Sequence, residues 1–105
     1  MTIMPALQEW NLQSLTAVQA MLGLPSPNLR RVTLDHNGQL WLISFVLAHE
    51  DAEDREEIED FGTEWDALQS SFEQLEIRIL ITSEPLPWPA PPARVIYQRR
   101  EAVSK

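Results

Sequence analysis

Glu53, Glu57, Asp60 and Glu64 stand four, three and four residues apart, a spacing that stacks side chains on one side of an α-helix. Glu56, Glu59 and Asp66 form part of a second column. Carboxylates can ligate hard cations, move protons or hold a cationic partner. Ligation fails on pattern: an EF-hand loop needs Asp-x-Asp-x-Asp-Gly with Glu at its twelfth position, and Asp51, Glu53 and Arg55 do not supply it. A helical backbone cannot wrap a cation, so no metal is expected. What remains is electrostatics. From Glu50 to Glu76 the chain carries twelve of its sixteen acids and one base, Arg55, leaving that segment at about −11 and the rest mildly positive. Adjacent like charges on a helix cost a few tenths of a kcal/mol each, and only Arg55 relieves them. A solvated outer face is the plain reading. A surface kept anionic for a basic partner is the functional one, and it is preferred here.

No other chemistry is legible. His36 and His49 fall near opposite ends of one predicted strand, roughly 30 Å apart at about 3.3 Å per residue. They cannot share a metal or form a dyad, and both read as surface histidines. Cysteine is absent, which excludes disulfides, thiolate sites and a Cys nucleophile. There is no Gly-rich phosphate loop, Gly-x-Ser-x-Gly elbow or Walker motif, and only three glycines. No cofactor, no catalytic residue and no enzymatic activity are expected.

The elements that must position the carboxylates follow from periodicity. Leu7–Leu22 reads as a first helix with Leu15, Val18 and Leu22 on its sheet-facing side, flanked by Leu12 and Met21, and it is stopped by Gly23 and Pro25. Asn37-Gly38 between Leu29–His36 and Gln39–Leu47 predicts a β-hairpin with a type I′ turn, pairing Leu34 with Trp41 and Val32 with Ile43. One hairpin face, with Val32, Leu34, Trp41, Ile43, Phe45 and Leu47, is a core face. The other carries Leu40, Leu42 and Val46 among polar residues. It is either a central strand covered by long neighbours or an association surface.

The acidic helix is expected from Asp51 to about Leu75, with Ile58, Phe61, Trp65, Leu68, Phe72 and Leu75 as its inner stripe. Gly62 allows a close backbone approach or a break. Glu76–Thr82 alternates Ile77, Ile79 and Ile81 inward, with Arg78 and Leu80 outward. Five prolines in Pro85–Pro92 make an extended loop. Its Trp88 either folds back on the core or is presented for recognition. Arg94–Arg99 is a last strand with Val95 and Tyr97 on one face, and Arg94, Arg99, Arg100 and Lys105 form a basic C-terminal patch. The result is an α+β two-layer sandwich in the order α-β-β-α-β-β, with a mostly antiparallel four-stranded sheet and both helices on one face.

A chain of 105 residues is expected to form a single domain, 1–105. A net charge of −8 argues against nucleic acid and anionic membrane as partners and for something basic. Met1–Glu9 lacks the basic and apolar regions of a secretory signal, and no run is long and apolar enough to span a bilayer, so the cytoplasm is the expected location.

The segments Asp54-Arg55-Glu56-Glu57, Ile81-Thr82-Ser83-Glu84-Pro85-Leu86 and Val95-Ile96-Tyr97-Gln98-Arg99, with the size and acidity, resemble the immunity proteins of bacterial toxin–immunity pairs, of the contact-dependent growth inhibition type. Those families are diverse in fold. The resemblance implies a cytoplasmic protein that binds and neutralises one cognate toxin, often a nuclease whose basic groove carboxylates could fill. On this reading Glu53, Glu56, Glu57, Asp60, Glu64 and Trp88 contact a basic protein, and the chain is a monomer or weak dimer. The alternative is a small acidic secretion chaperone, dimeric through the Leu40/Leu42/Val46 face, although the chain is short for that family and lacks its extra terminal helix and strand.

Overall fold

The structure, a computed structural model, describes residues 4–101; Lys105 of the expected basic patch lies outside them. The elements run α1 (Leu7–Ala20), β1 (Leu29–His36), β2 (Trp41–Leu47), α2 (Ala52–Ala67), β3 (Leu75–Ile81) and β4 (Arg94–Gln98). This is the expected α+β order. The sheet order is β3-β2-β1-β4. β1 is antiparallel to both β2 and β4, whereas β2 and β3 are parallel, so the sheet is mixed. The parallel pair follows from α2: a helical crossover returns the chain to the end where β2 began.

Both helices pack on one face of the sheet. The core joins Trp10, Ala17 and Ala20 of α1 to Ile58, Phe61 and Trp65 of α2 over Val32, Leu34, Trp41, Ile43, Phe45 and Leu47. Trp10 meets Trp41 edge to face with ring centroids 5.1 Å apart, and Phe45 meets Phe61 likewise at 5.2 Å, the geometry favoured by the ring quadrupole. Ile77, Ile79 and Ile81 pack inward as expected. Gly62 sits in an unbroken helix, and a Cβ there would lie 3.1 Å from Ile77 Cδ1. It is therefore the close-approach residue between α2 and β3.

Several details differ from the sequence reading. The hairpin register is offset by two: His36 faces Trp41, Leu34 faces Ile43 and Val32 faces Phe45. Gly38 has φ +94° but Asn37 does not adopt positive φ, so no type I′ turn forms. Instead the Asn37 side-chain oxygen accepts from the amides of Gln39 and Leu40, and His36 Nδ1 accepts from Gly38 N. Side chains alternate with period two, so an offset of two leaves every residue on its expected face.

α2 ends at Ala67 rather than near Leu75. Phe72 is 86 % exposed in the connection, and Leu75 begins β3. In β4 a register shift skips Ile96, so Val95 pairs with Thr33 and Tyr97 with Val32. Ile96 and Tyr97 pack on the core and Val95 does not, which splits the predicted Val95/Tyr97 face.

The largest correction concerns α1. Leu12, Leu15, Val18 and Leu22 point outward, with Leu15 69 % and Leu22 78 % exposed. The buried side is Trp10, Gln13, Thr16, Ala17 and Ala20. Ala17 and Ala20 let the helix approach the sheet closely while Trp10 supplies the apolar bulk. Gln13 is satisfied by a reciprocal amide pair with Gln69, at 2.8 and 2.9 Å. Apolar residues occur on both sides of α1, so periodicity alone did not separate them.

Candidate functional site

The carboxylate columns occupy the outer face of α2 because Ile58, Phe61 and Trp65 take the inner one. Asp51 caps the start of α2, its side chain accepting from Asp54 N at 3.0 Å and so satisfying an otherwise unpaired amide. Asp54 is buried and accepts from Asn28 Nδ2 at 2.9 Å. That amide also donates to the His49 carbonyl, and Asn28 Oδ1 accepts from His49 N. Asn28 thus fastens the loop before β1 to the start of α2.

Acids in this first turn benefit from the helix macrodipole. The remaining ones do not. Glu64 and Asp66 lie towards the C-terminal end, and the last turn carries no base. Glu53, Glu56, Glu57, Glu59, Asp60, Glu64 and Asp66 are all exposed. Arg55 turns back to Glu50, and its guanidinium holds the Glu50 carboxyl below the usual range, chiefly by hydrogen bonding.

Arg30, Arg78, Arg94 and Arg99 are committed elsewhere. Arg30 is buried at the shift in the β1 register and grips both oxygens of Glu101, while also donating to the Thr82 and Glu84 carbonyls. Arg78 pairs with Glu76, and Arg99 with Glu101. Arg94 donates to Asn11 and Ser14 and lies over the Trp10 ring. Of the expected basic patch, Arg94 and Arg99 brace α1 and the β1 approach. Among the described residues no ion pair reaches the α2 columns.

The expected contact residues divide. Glu57, Asp60 and Glu64 line a cleft of about 360 Å³ between the helices, opposite Gln19 and Leu22, with Leu24 and Leu68 also in its wall. Glu53 borders a separate hollow beside Ser26, Asn28 and His49, and Glu56 is exposed and lines neither.

Trp88 is not part of this surface. It is 70 % exposed, with Arg31 stacked on its ring at 5.2 Å. Arg31 pairs with Val46 in register, on the sheet face away from the helices. Its guanidinium donates to the Pro87 and Leu86 carbonyls and to Gln98 Oε1, so it holds the proline-rich loop against that face. Trp88 therefore neither folds into the core nor joins the carboxylates. The same face also argues against the chaperone alternative. Leu42 and Val46 are buried, each between neighbouring strands whose facing residues are Asp35 and Glu76, or Arg31 and Leu80.

Among the described residues no group of three or more His, Cys, Asp or Glu side chains is placed to hold a metal ion, and no helix is long and apolar enough to cross a membrane. What sequence reasoning missed is the apolar part of the cleft wall, Leu22, Leu24 and Leu68, and the exposed Leu12 and Leu15 on the adjoining outer side of α1. The signal was present in the polar Gln13 and Thr16, which compete with the leucines for the inner side only when a partner such as Gln69 is available.

A family model described as MafI2 immunity protein matches residues 12–101, which takes in most of α1, all of α2 and all four strands. The match agrees with the resemblance to immunity proteins of toxin–immunity pairs. Contact-dependent growth inhibition is the part of that expectation it does not reach. No curated protein matches the chain.

Proposed function

This chain belongs to the MafI2 immunity protein family, and from that premise we propose that it binds and neutralises one cognate basic toxin, a nuclease, through the outer face of α2. It acts by binding, without a reaction of its own, in the cytoplasm. The observation that carries this reading is the set of seven exposed carboxylates on a helix whose single base pairs outside them. A nuclease presents a basic groove to its substrate phosphates. A rigid row of carboxylates has the charge to occupy that groove. Long-range attraction also speeds capture, which suits an inhibitor that must act before the toxin does.

The test is retrieval of a partner from the host lysate by the tagged protein, followed by association kinetics at low and high salt. One basic, toxic protein should be retrieved, and its association should slow as the Debye length shrinks from about 10 Å near 0.1 M salt to about 3 Å near 1 M. The Glu57→Lys/Asp60→Lys/Glu64→Lys variant should fold and lose the partner. Full binding by that folded variant would place the interface elsewhere.

A further inference from the structure

The proposed toxin contact uses the carboxylates, yet the cleft they line has a second wall that the charge argument leaves idle. Leu12, Leu15 and Gln19, at i, i+3 and i+7, share the outer side of α1, and Leu22 follows in the turn just past its end. Leu12, Leu15 and Leu22 are exposed, as is Leu68 at the end of α2. Gln19 and Leu22 line the cleft with Leu68, facing Glu57, Asp60 and Glu64. The helices run antiparallel: Gln13 near the start of α1 meets Gln69 just beyond the end of α2, and the far end of α1 leads towards the loop that holds Asp54. The cleft is therefore a trough between two helices, with one apolar and one anionic side.

Resting on the toxin-binding reading, we propose that this trough seats an amphipathic helix of the toxin, with Leu, Ile or Phe side chains against Leu22 and Leu68 in the cleft and against Leu12 and Leu15 on the adjoining outer side of α1, and Lys or Arg side chains against Glu57, Asp60 and Glu64. An apolar helix face laid in a groove between helices is an established recognition mode. The charges choose its sign. A second copy of this chain is a poor occupant, because a self-complementary contact would bring two carboxylate columns together in a molecule of net charge −8. A purely basic, unpatterned segment would leave the leucines in water. The segment that satisfies both walls is basic along one edge and apolar along the other.

The probes are three synthetic 18-residue peptides: Leu/Lys in amphipathic order, the same composition scrambled, and Leu/Glu in amphipathic order. Binding to the full chain is read by fluorescence anisotropy, with chemical-shift mapping of the contact. The ordered Leu/Lys peptide should shift the signals of Leu15, Leu22, Asp60 and Glu64. It should bind about tenfold more tightly than the scrambled one. Leu15→Ser/Leu22→Ser should weaken it about tenfold, and the Leu/Glu peptide should not bind. Equal binding of ordered and scrambled peptides, an unaffected Leu15→Ser/Leu22→Ser protein, or binding of the Leu/Glu peptide would overturn the proposal. So would a dimer in sedimentation that this double variant dissociates, which would assign the leucines to a second copy. Should the double variant melt early, Leu12→Ser on the same outer side of α1 gives the same readout. Toxin neutralisation that survives Leu15→Ser/Leu22→Ser but not charge reversal of α2 defeats this inference alone; neutralisation that survives charge reversal defeats the underlying reading.

Discussion

α1 and α2 lie side by side on one sheet and spend their residues in opposite ways. α2 buries its bulk, Ile58, Phe61 and Trp65, and shows water a row of carboxylates. α1 buries Ala17, Ala20 and a paired Gln13 around Trp10, and shows water its leucines. A helix kept only for stability would reverse the second pattern, since moving a leucine side chain out of water is worth about 1.5–3 kcal/mol. It would also dilute the first with lysines. Each helix thus departs from a stability optimum on its outer side, and the two departures meet at the cleft, where Leu22 faces Glu57, Asp60 and Glu64. Surfaces that cost stability without an internal return are where binding is to be sought.

That contrast can be broken from the inside. Phe61→Ala removes the ring that packs on Phe45 and should cost about 3–5 kcal/mol in urea unfolding. A loss under 1 kcal/mol would mean that the inner face of α2 is not the core described.

Next in size is the corner where charge is compensated. Glu101, gripped first by Arg30 and also paired with Arg99, has its carboxyl held at about 2 against an ordinary 4.5. A depressed carboxylate stabilises the fold fully above its unfolded value and loses that contribution as pH falls towards the folded one. Unfolding free energy should therefore drop between about pH 4.5 and 2. Glu101→Gln should cost roughly 2–3 kcal/mol at neutral pH and flatten that acid limb. An unchanged limb would show that the pair is electrostatically idle.

Smaller, and opposite in sign, is the effect expected on α2. Glu57→Lys/Asp60→Lys/Glu64→Lys should raise stability by about 0.5–1 kcal/mol, through relief of like charges along the helix and, at Glu64, of an unfavourable dipole contact. Added salt should narrow the difference. A large loss would instead make the columns structural. The smallest effect belongs to Leu15→Ser/Leu22→Ser. Both side chains are already in water, so unfolding should change by less than about 0.5 kcal/mol, in contrast to Phe61→Ala.

Much of this fold was readable in the chain. Elements with one dominant signal came through: the β-branched alternation of Ile77, Ile79 and Ile81, the Gly23 stop with φ +83°, and the Ile58, Phe61, Trp65 stripe. The two-residue offset in the hairpin was invisible because Asn37-Gly38 supports both a type I′ turn and a looser one held by the Asn37 side chain, and both leave the faces intact. The inverted face of α1 was not readable. It depends on Gln69, far along the chain, arriving to satisfy Gln13, and on two alanines whose value is proximity rather than hydrophobicity. The same limit applied to the candidate site. Spacing places the seven carboxylates of the two columns on one helix, whereas nothing local to Trp88 shows that Arg31 holds its loop on the far side of the sheet. Strand order, fixed by long-range pairing, set that separation.

The most direct test of the central claim is survival of cells that make the cognate toxin together with either the native chain or the Glu57→Lys/Asp60→Lys/Glu64→Lys variant, with equal expression and an unreduced melting temperature confirmed for the variant. Protection by the native chain and death with the folded variant are predicted. Equal protection by both would contradict the assignment of the α2 face as the surface that neutralises the toxin.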